Sequence, residues 1–193
     1  KNIIITGPNA AGKTTTIKAT IINLLLSQQI GFGFYKKSVT STFDFIHCYL
    51  NIPDSSSRDS LFQAEARRCK NILDTIEKNK NKKHFCIFDE LYSGTNPYEA
   101  ISSAYSYLKY ISKNKNVRFL LTTHYIKICN LFDKEKNINN KSMKTLVKNN
   151  NLPVYTYKLE NGISNIKGGV SVLTNLNYPT NIINTTKKVL SNL

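Results

Sequence analysis

An apolar segment near the start of the chain runs directly into a glycine-bounded loop and then into a helical pattern. Residues Asn2–Thr6 are typical of a short buried strand, and the apolar positions beyond Thr14 follow the spacing of a helix. Two more buried-strand patterns, at His84–Phe88 and Val117–Thr122, are each preceded by a helical pattern. Strands that alternate with helices predict an α/β fold with a mostly parallel central sheet flanked by helices.

The segments around these units predict further strands and a last helix. Residues 43–50 are rich in β-forming side chains. Residues 154–159 alternate between apolar and polar side chains, which predicts a strand that ends in a hairpin turn at Glu160-Asn161-Gly162. A closing helix is predicted after Pro179.

Length and composition fit a single domain. The chain has 193 residues, of which 40% are hydrophobic, enough for a sizeable core. It has no apolar run near the roughly 18–20 residues of a membrane span, so we expect no membrane partner. The chain begins with Lys1 rather than Met and enters a strand pattern at once, so we expect it to be part of a longer protein.

Positive charge dominates the composition. Lys and Arg number 27 against 12 Asp and Glu, which gives a formal net charge of +15. Such an excess is a feature of nucleic-acid-binding proteins. However, only four of the cations are Arg, and Lys occurs together with Asn in surface-like runs at residues 78–83 and 134–141. A solvated surface is therefore the favoured interpretation, and direct nucleic-acid binding by this charge is the alternative.

Four cysteines are scattered along the chain without the C-x-x-C spacing of zinc sites, at positions 48, 69, 86 and 129. Disulfide-stabilised domains are short and secreted, whereas this chain is long enough to form a hydrophobic core. We therefore expect free thiols and a reducing intracellular compartment, either cytoplasm or nucleus.

The strongest chemical signal is a complete G-x-x-x-x-G-K-[ST] motif between the first strand and the first helix. In such a loop the backbone N–H groups converge on phosphate oxygens, and the N-terminus of the next helix adds its dipole. Lys13 would bridge the β- and γ-phosphates, and the Thr14 hydroxyl would bind Mg²⁺. The predicted site for ATP and Mg²⁺ comprises Gly7, Pro8, Asn9, Ala10, Ala11, Gly12, Lys13, Thr14 and Thr15.

Two adjacent acids follow the second buried strand of this outline. Asp89, at the end of the strand, is placed to hold Mg²⁺, whereas Glu90 points elsewhere because strand side chains alternate. Glu90 is therefore predicted to polarise the attacking water of a hydrolysis reaction. A solvated acidic turn is the alternative for such a pair, and the nearby phosphate-loop motif favours the catalytic interpretation.

A histidine follows the third strand in the run Thr122-Thr123-His124. Ligands of open α/β sheets bind at the carboxyl ends of the strands. We therefore predict that His124 donates to the γ-phosphate or orients the water. His47 and His84 do not follow a strand in this way, and we interpret both as structural.

Together these motifs resemble those of the MutS mismatch-repair ATPases, members of the ABC superfamily of P-loop NTPases. The loop, with Pro and Asn after its first Gly, is similar to theirs, and T-T-H-Y from Thr122 matches their A-T-H-[YF]. S-L-F-Q-A-E from Ser60 resembles their S-T-F-x-x-E segment, and D-E-L-Y-S-G-T from Asp89 resembles their D-E-[IL]-x-x-G-T. A closing pattern around Gly169 is also similar, so the resemblance covers nearly the whole chain.

The resemblance implies a Mg²⁺-dependent ATPase that converts ATP and water to ADP and phosphate. It implies a nucleotide-binding core at residues 1–135, followed by C-terminal strands and closing helices at 136–193. Two copies, or two paralogues, would dimerise around ATP and drive conformational changes of a DNA clamp. Domains outside this chain would bind mismatched double-stranded DNA.

In such a dimer, Ser60 would reach in trans the γ-phosphate bound by Lys13 of the second copy, and Asn9 would lie at the shared site. The small polar residues 54–60 would complete the phosphate cage with their N–H groups. From the residues alone, an ordinary helix N-cap is the favoured role of Ser60, because Ser is preferred at that position in any helix.

The sequence departs from the family pattern after the two acids. Ser93 occupies the position of the family's Arg, the differences continue through residues 93–100, and Leu61 replaces a Thr. That loop normally runs along the dimer interface in the family. An alternative function is therefore a nucleotide-gated DNA-clamp or dimerisation module with little hydrolysis, in recombination or other genome maintenance.

Overall fold

Helices and strands alternate along most of the chain. The computed structural model describes residues 1–50, 60–147, 153–166 and 168–191. In chain order the elements are β1 Asn2–Thr6, α1 Lys13–Ile30, β2 Phe45–Tyr49, α2 Leu61–Lys78, β3 His84–Asp89, α3 Pro97–Ile111, β4 Val117–Thr123, α4 Ile126–Leu131, β5 Ile138–Val147, β6 Pro153–Asn161, α5 Gly169–Asn175 and α6 Thr180–Ser191.

A mixed sheet of six strands forms the centre of the described residues, in the order β2-β3-β4-β1-β5-β6. The first five of these strands are parallel, and β6 runs antiparallel to β5. The register places Thr6 of β1 beside Thr123 of β4, and Asp89 of β3 beside Thr122. The carboxyl ends of β1, β3 and β4 therefore lie side by side at one edge of the sheet. The predicted α/β fold with a mostly parallel sheet is confirmed.

The helices cover both faces of the sheet because strand side chains alternate between faces. On one face, Ile17 and Ile21 of α1 pack with Ile5 and Ile87. On the other face, buried side chains of α2, α3 and α4 pack with the neighbouring strand residues, including Ile4 and Phe88. The central strands are therefore buried on both faces, which explains why they read as continuous apolar runs.

The predicted hairpin turn at Glu160-Asn161-Gly162 is wrong. Glu160 and Asn161 belong to β6 itself, and Asn161 pairs with Lys141 of the preceding strand β5. The N–H of Gly162 donates to the carbonyl of Asn140 at 3.1 Å. Gly162, with φ 113, therefore ends the strand, and the connection that reverses the chain lies between β5 and β6.

The second half of the Lys- and Asn-rich run at 134–141 is not a surface segment, because β5 begins at Ile138. Ile138 is buried and pairs with Asn2 of β1. An inner position between β1 and β6 supplies backbone hydrogen-bond partners on both sides, which outweighs the polar composition. The same sheet contains strands from before residue 135 (β1–β4) and after it (β5 and β6), so the predicted core and C-terminal part share one sheet.

The predicted closing helix is present as α6, which begins directly after Pro179. The residue pattern did not locate the helix α5, although the resemblance implied more than one closing helix. Within the described residues, no helix combines the length and the apolar character needed to cross a membrane.

Candidate functional site

The glycine-bounded loop joins β1 to α1 at the carboxyl edge of the sheet. Gly12 is the N-cap of α1 with φ 94, a left-handed conformation that favours glycine. A Cβ at Gly12 would also lie 3.1 Å from the ring of Tyr157. Backbone conformation and close packing therefore both require a glycine here. The first turn of α1 starts at this point, and a first helical turn carries N–H groups without intrahelical partners.

Lys13 holds a buried positive charge at the mouth of the loop. Its side chain is only 6% exposed, and its Nζ donates to the carbonyl oxygens of Gly7 at 3.0 Å and Pro8 at 3.3 Å. The carboxylate oxygen Oε1 of Glu90 lies 3.7 Å from the same Nζ. The ammonium is thus held between the loop and an acid, as a buried charge requires.

The structure brings Thr14 and Asp89 together. The Thr14 hydroxyl donates to Oδ2 of Asp89 at 2.9 Å and lies 3.2 Å from Oδ1. The Thr122 hydroxyl on β4 donates to the same carboxylate and fixes its orientation. A hydroxyl and a carboxylate side by side form a set of hard oxygen ligands of the kind that Mg²⁺ prefers.

Glu90 lies just beyond β3, and its own backbone sets its direction. Its φ is 52, so the chain turns in a left-handed conformation directly after Asp89. Its N–H donates to the carbonyl of Thr122 at 3.0 Å. We expected strand alternation to point the two acidic side chains in different directions. This expectation is corrected, because Glu90 lies outside the strand and its left-handed backbone sets the direction of its side chain. The result is still that the two carboxylates point to different neighbours.

His124 lies beside Glu90, as their positions after β4 and β3 suggest. Its Nδ1 is 3.5 Å from Oε1 of Glu90. The hydrogen bond from His124 holds the pKa of Glu90 below its ordinary value; burial opposes this shift, and the charges of His124 and Lys13 add to it. The Glu90 carboxylate is therefore ionised at neutral pH, which a base requires.

These groups face an open cleft of about 570 Å³. Its lining includes most of the predicted loop residues, namely Asn9, Ala10, Gly12, Lys13, Thr14 and Thr15, together with Asp89 and Glu90. A neighbouring cavity of about 400 Å³ is lined by Gly7, Pro8 and His124 and shares Asn9 and Glu90 with the cleft. The side chain of Ala11 instead packs in the hydrophobic core.

Comparison with known proteins gives the family. A family model described as MutS domain V matches residues 3–193 of the chain. The chain belongs to the MutS family. The DNA mismatch repair protein MutS of Clostridium botulinum is 31% identical over 194 residues, which cover 99% of this chain and 20% of that protein. The protein of the same name from Clostridium perfringens is also 31% identical over 194 residues, 99% of this chain and 21% of its own length. The chain therefore spans about a fifth of the length of these MutS relatives.

In this MutS-family chain, Ser60 is the N-cap of α2. Its Oγ accepts from the N–H of Gln63 at 3.3 Å, and its own N–H donates to the Gln63 side chain at 2.9 Å. This reciprocal capping box is the local role that the sequence favoured. Ser60 itself is exposed, whereas Leu61 and Glu65 of the same helix line the cleft. Of the predicted phosphate cage at 54–60, residues 54–59 lie outside the described residues.

Tyr157 and Glu65 are among the residues of the cleft that sequence reasoning missed. Tyr157 on β6 lies against Gly12, is 68% exposed, and adopts a left-handed backbone with φ 57. An exposed aromatic side chain in an alternating strand was the available signal. Glu65 is 2% exposed on the second turn of α2. Its place in the S-L-F-Q-A-E segment was the available signal, but its burial depends on the tertiary structure.

His47 and His84 use their rings within the fold. Nε2 of His47 is 3.0 Å from Nδ1 of His84, and the two rings stack. Nε2 of His84 lies 3.0 Å from the carbonyl of Asn79. Both histidines thus have the structural role that the sequence suggested.

Proposed function

We propose that this MutS-family chain is an ATP-hydrolysing domain of the P-loop, ABC type, which binds ATP with Mg²⁺ at the loop from Gly7 to Thr15. The observation that carries the proposal is the convergence of Lys13, the Thr14–Asp89 pair and the Glu90–His124 pair at one edge of the sheet. Each group has a distinct task in phosphoryl transfer to water, and all of them lie within one pair of adjoining cavities.

Binding of the triphosphate follows from the loop. The N–H groups at the start of α1 and the positive end of the helix dipole attract phosphate oxygens. Lys13 adds a full charge that is already desolvated, so its attraction to phosphate is stronger than that of a surface lysine. On binding, its ammonium would exchange the carbonyls of Gly7 and Pro8 for phosphate oxygens.

The Thr14 hydroxyl and the Asp89 carboxylate are the residues that would hold Mg²⁺. When bound, the ion would supply positive charge that neutralises the charge developing on the phosphate oxygens. Thr122 keeps the Asp89 carboxylate in place through its hydroxyl hydrogen bond. A pair of protein oxygens would suit Mg²⁺, which proteins usually hold with only one or two side chains.

Glu90 would orient the attacking water and accept its hydrogen bond. The water oxygen forms a bond to the γ-phosphorus, the bond from that phosphorus to the β–γ bridging oxygen breaks, and ADP and phosphate result. The lowered pKa of Glu90 keeps the carboxylate ionised, so it can hold the water from neutral pH down to mildly acidic pH. His124, whose Nδ1 lies 3.5 Å from Oε1 of Glu90, would donate to the γ-phosphate or steady the carboxylate.

We further propose that the working site forms between two copies or two paralogues, with Ser60 of one copy facing the γ-phosphate of the other. The exposed Ser60 at the positive end of an 18-residue helix supports this arrangement. The relatives are named DNA mismatch repair proteins, which supports a role in repair, with mismatched DNA held by domains outside this chain.

The second candidate is a nucleotide-gated clamp or dimerisation module that hydrolyses ATP poorly. The observation in its favour is Ser93, which stands where the family pattern has Arg and whose hydroxyl bonds inward to Glu65. Such a side chain offers no cation to a neighbouring subunit.

The test is the ATPase rate per monomer as a function of protein concentration, with Glu90→Gln as the inactive variant and Glu77→Gln, an acid of α2 remote from the cleft, as the matched control. We expect a rate that rises and saturates with concentration, falls about 10²–10⁴-fold in Glu90→Gln, and is unchanged in Glu77→Gln. ATP binding should survive in all three proteins. A flat rate near background with intact ATP binding would favour the clamp module, and no ATP binding would refute both candidates.

A further inference from the structure

A buried carboxylate connects α2 to the turn that carries Glu90. Oε1 of Glu65 accepts hydrogen bonds from the N–H of Ser93 at 3.0 Å and from its hydroxyl at 2.9 Å. Oε2 accepts from the N–H of Gly94 at 3.0 Å. Three donors therefore satisfy both oxygens of a side chain that is 2% exposed. A carboxylate this deeply buried is costly unless such bonds are made.

The turn that Glu65 holds has an unusual backbone. Glu90 and Tyr92 both adopt left-handed conformations, with φ 52 and φ 58. Non-glycine residues persist in this region only where the surroundings impose it. The N–H of Tyr92 donates to the hydroxyl of Tyr49 at 3.2 Å, and Glu65 captures the next two N–H groups along the chain.

Steric contact reinforces the connection. A Cβ at Gly94 would lie 2.7 Å from Cγ of Leu61 and 2.8 Å from the backbone nitrogen of Phe62. The turn therefore rests directly on the first turn of α2. Glu65 follows one turn later on the same helix, so a displacement at the start of α2 would also displace the turn after β3.

Burial for stability alone is a weak explanation of this acid. Replacing buried ionic groups by apolar residues of similar volume is often neutral or stabilising. Glu65 and Ser93 instead line the same cleft as Glu90 and Lys13. The costly group thus lies in the cleft beside the residues with proposed roles in hydrolysis.

We propose that Glu65 is a positioning residue that couples the Ser60 end of α2 to Glu90. This inference rests on the proposed function. A phosphate of the second copy that contacts Ser60 would shift or stiffen the first turns of α2, and the three hydrogen bonds of Glu65 would bring Glu90 into its working position. Ser93 gives this chain its own third donor, since the family's Arg is absent there.

The decisive variant is Glu65→Gln, which keeps the shape but turns an amide NH₂ toward N–H donors. We expect single-turnover hydrolysis to fall by about 10–100-fold, as a displacement of about 1 Å would cause. The Kd for ATP with Mg²⁺ should change less than about threefold, because Lys13, Thr14 and Asp89 are untouched. The matched control is Glu77→Gln, an acid near the carboxyl end of the same helix that accepts a hydrogen bond from the Tyr110 hydroxyl, and it should behave as the unaltered chain.

A milder variant covers the case in which Glu65→Gln does not fold, as judged by circular dichroism. Ser93→Ala removes only the hydroxyl donor and leaves both backbone bonds, so we expect a loss of about 3–10-fold in hydrolysis with unchanged ATP affinity. Equal loss of affinity and rate in these variants would indicate general damage to the site and would overturn the proposal.

Amide hydrogen exchange tests the coupling without turnover. In Glu90→Gln, ATP with Mg²⁺ should slow exchange in residues 7–15 and also in 91–95. Adding Glu65→Gln should abolish the effect at 91–95 and leave that at 7–15. Persistent protection at 91–95, or normal hydrolysis in Glu65→Gln, would overturn the positioning role of Glu65 and leave the proposed function intact. Failure of the unaltered chain to bind ATP would overturn the proposed function, and this inference with it.

Discussion

Replacing Gly94 by alanine tests how tightly the turn after β3 rests on α2. The added methyl carbon would lie 2.8 Å from the backbone nitrogen of Phe62 and 2.7 Å from Cγ of Leu61. Ordinary contacts need about 3.5 Å, so one side must move by about 0.7 Å. Leu61 can rotate its side chain away, but Phe62 offers only its backbone in the first turn of a helix. The movement therefore displaces either α2 or the turn that carries Glu90.

The size of the effect follows from overpacking. Forcing a methyl group into a packed contact costs about 1–3 kcal/mol. Alanine also lowers the conformational entropy of the unfolded chain, which stabilises the folded state by about 0.4–1 kcal/mol. The net loss in the free energy of unfolding is therefore about 1–2 kcal/mol. For a chain of this size, each kcal/mol lowers Tm by about 2–4 °C, so we expect a drop of about 2–8 °C.

Thermal unfolding followed by circular dichroism measures this drop, with Gly169→Ala as the matched control. A Cβ at Gly169 meets nothing within 4 Å, and the residue opens the helix α5. That control should be neutral or slightly stabilising, because alanine favours helix. A Tm of Gly94→Ala equal to that of the unaltered chain would refute the close packing of the turn on α2.

Two further predictions concern the cleft and the opposite part of the sheet. Tyr157→Ala should weaken ATP binding by about 5–20-fold at an unchanged turnover rate, because an aromatic face beside Gly12 can stack on a base. Equilibrium binding measures this, with Tyr157→Phe as the control that keeps the ring. Equal ATP affinities of Tyr157→Ala and the unaltered chain would exclude a role of the ring. Burial, with a smaller contribution from His84, lowers the pKa of His47 to about 4 from 6.5. Between pH 4 and pH 6.5 the unfolded chain therefore binds more protons than the folded chain. The free energy of unfolding that His47 contributes above about pH 6.5 is lost as the pH falls toward 4. For a half-buried ring we expect this loss to be about 1–2 kcal/mol. Urea unfolding from pH 7.5 to 4.5 should show this loss, and a His47→Gln variant with the same pH dependence would contradict it.

Much of the candidate site could be predicted because its chemistry is local in the sequence. The loop around Lys13 and Thr14 is one continuous segment between a strand and a helix, and the role proposed for it toward phosphate depends on that segment alone. Asp89 and His124 are distant in sequence, but both follow buried strands. Parallel strands end at a common edge, so their proximity could be expected.

Other residues could not be predicted because their environment is made by distant segments. The polar strand β5 forms because β1 and β6 supply backbone partners on both of its sides. Glu160 and Asn161 stay in a strand because they pair with Ser142 and Lys141 of β5, although their composition is typical of a turn. Composition reports local preference, and it yields where pairing with a neighbour satisfies buried backbone groups.

The amino-acid sequence by itself determined the alternation of strands and helices, the glycine loop and the order of the acidic and histidine residues along the chain. Periodicity and glycine placement act over a few residues, so they can be read without knowing the fold. Only the tertiary structure decided that Glu90 leaves the strand through a left-handed turn and that Glu65 is buried beneath it. These features arise where α2, β3 and the following turn meet, and packing between such distant segments leaves no local pattern in the sequence.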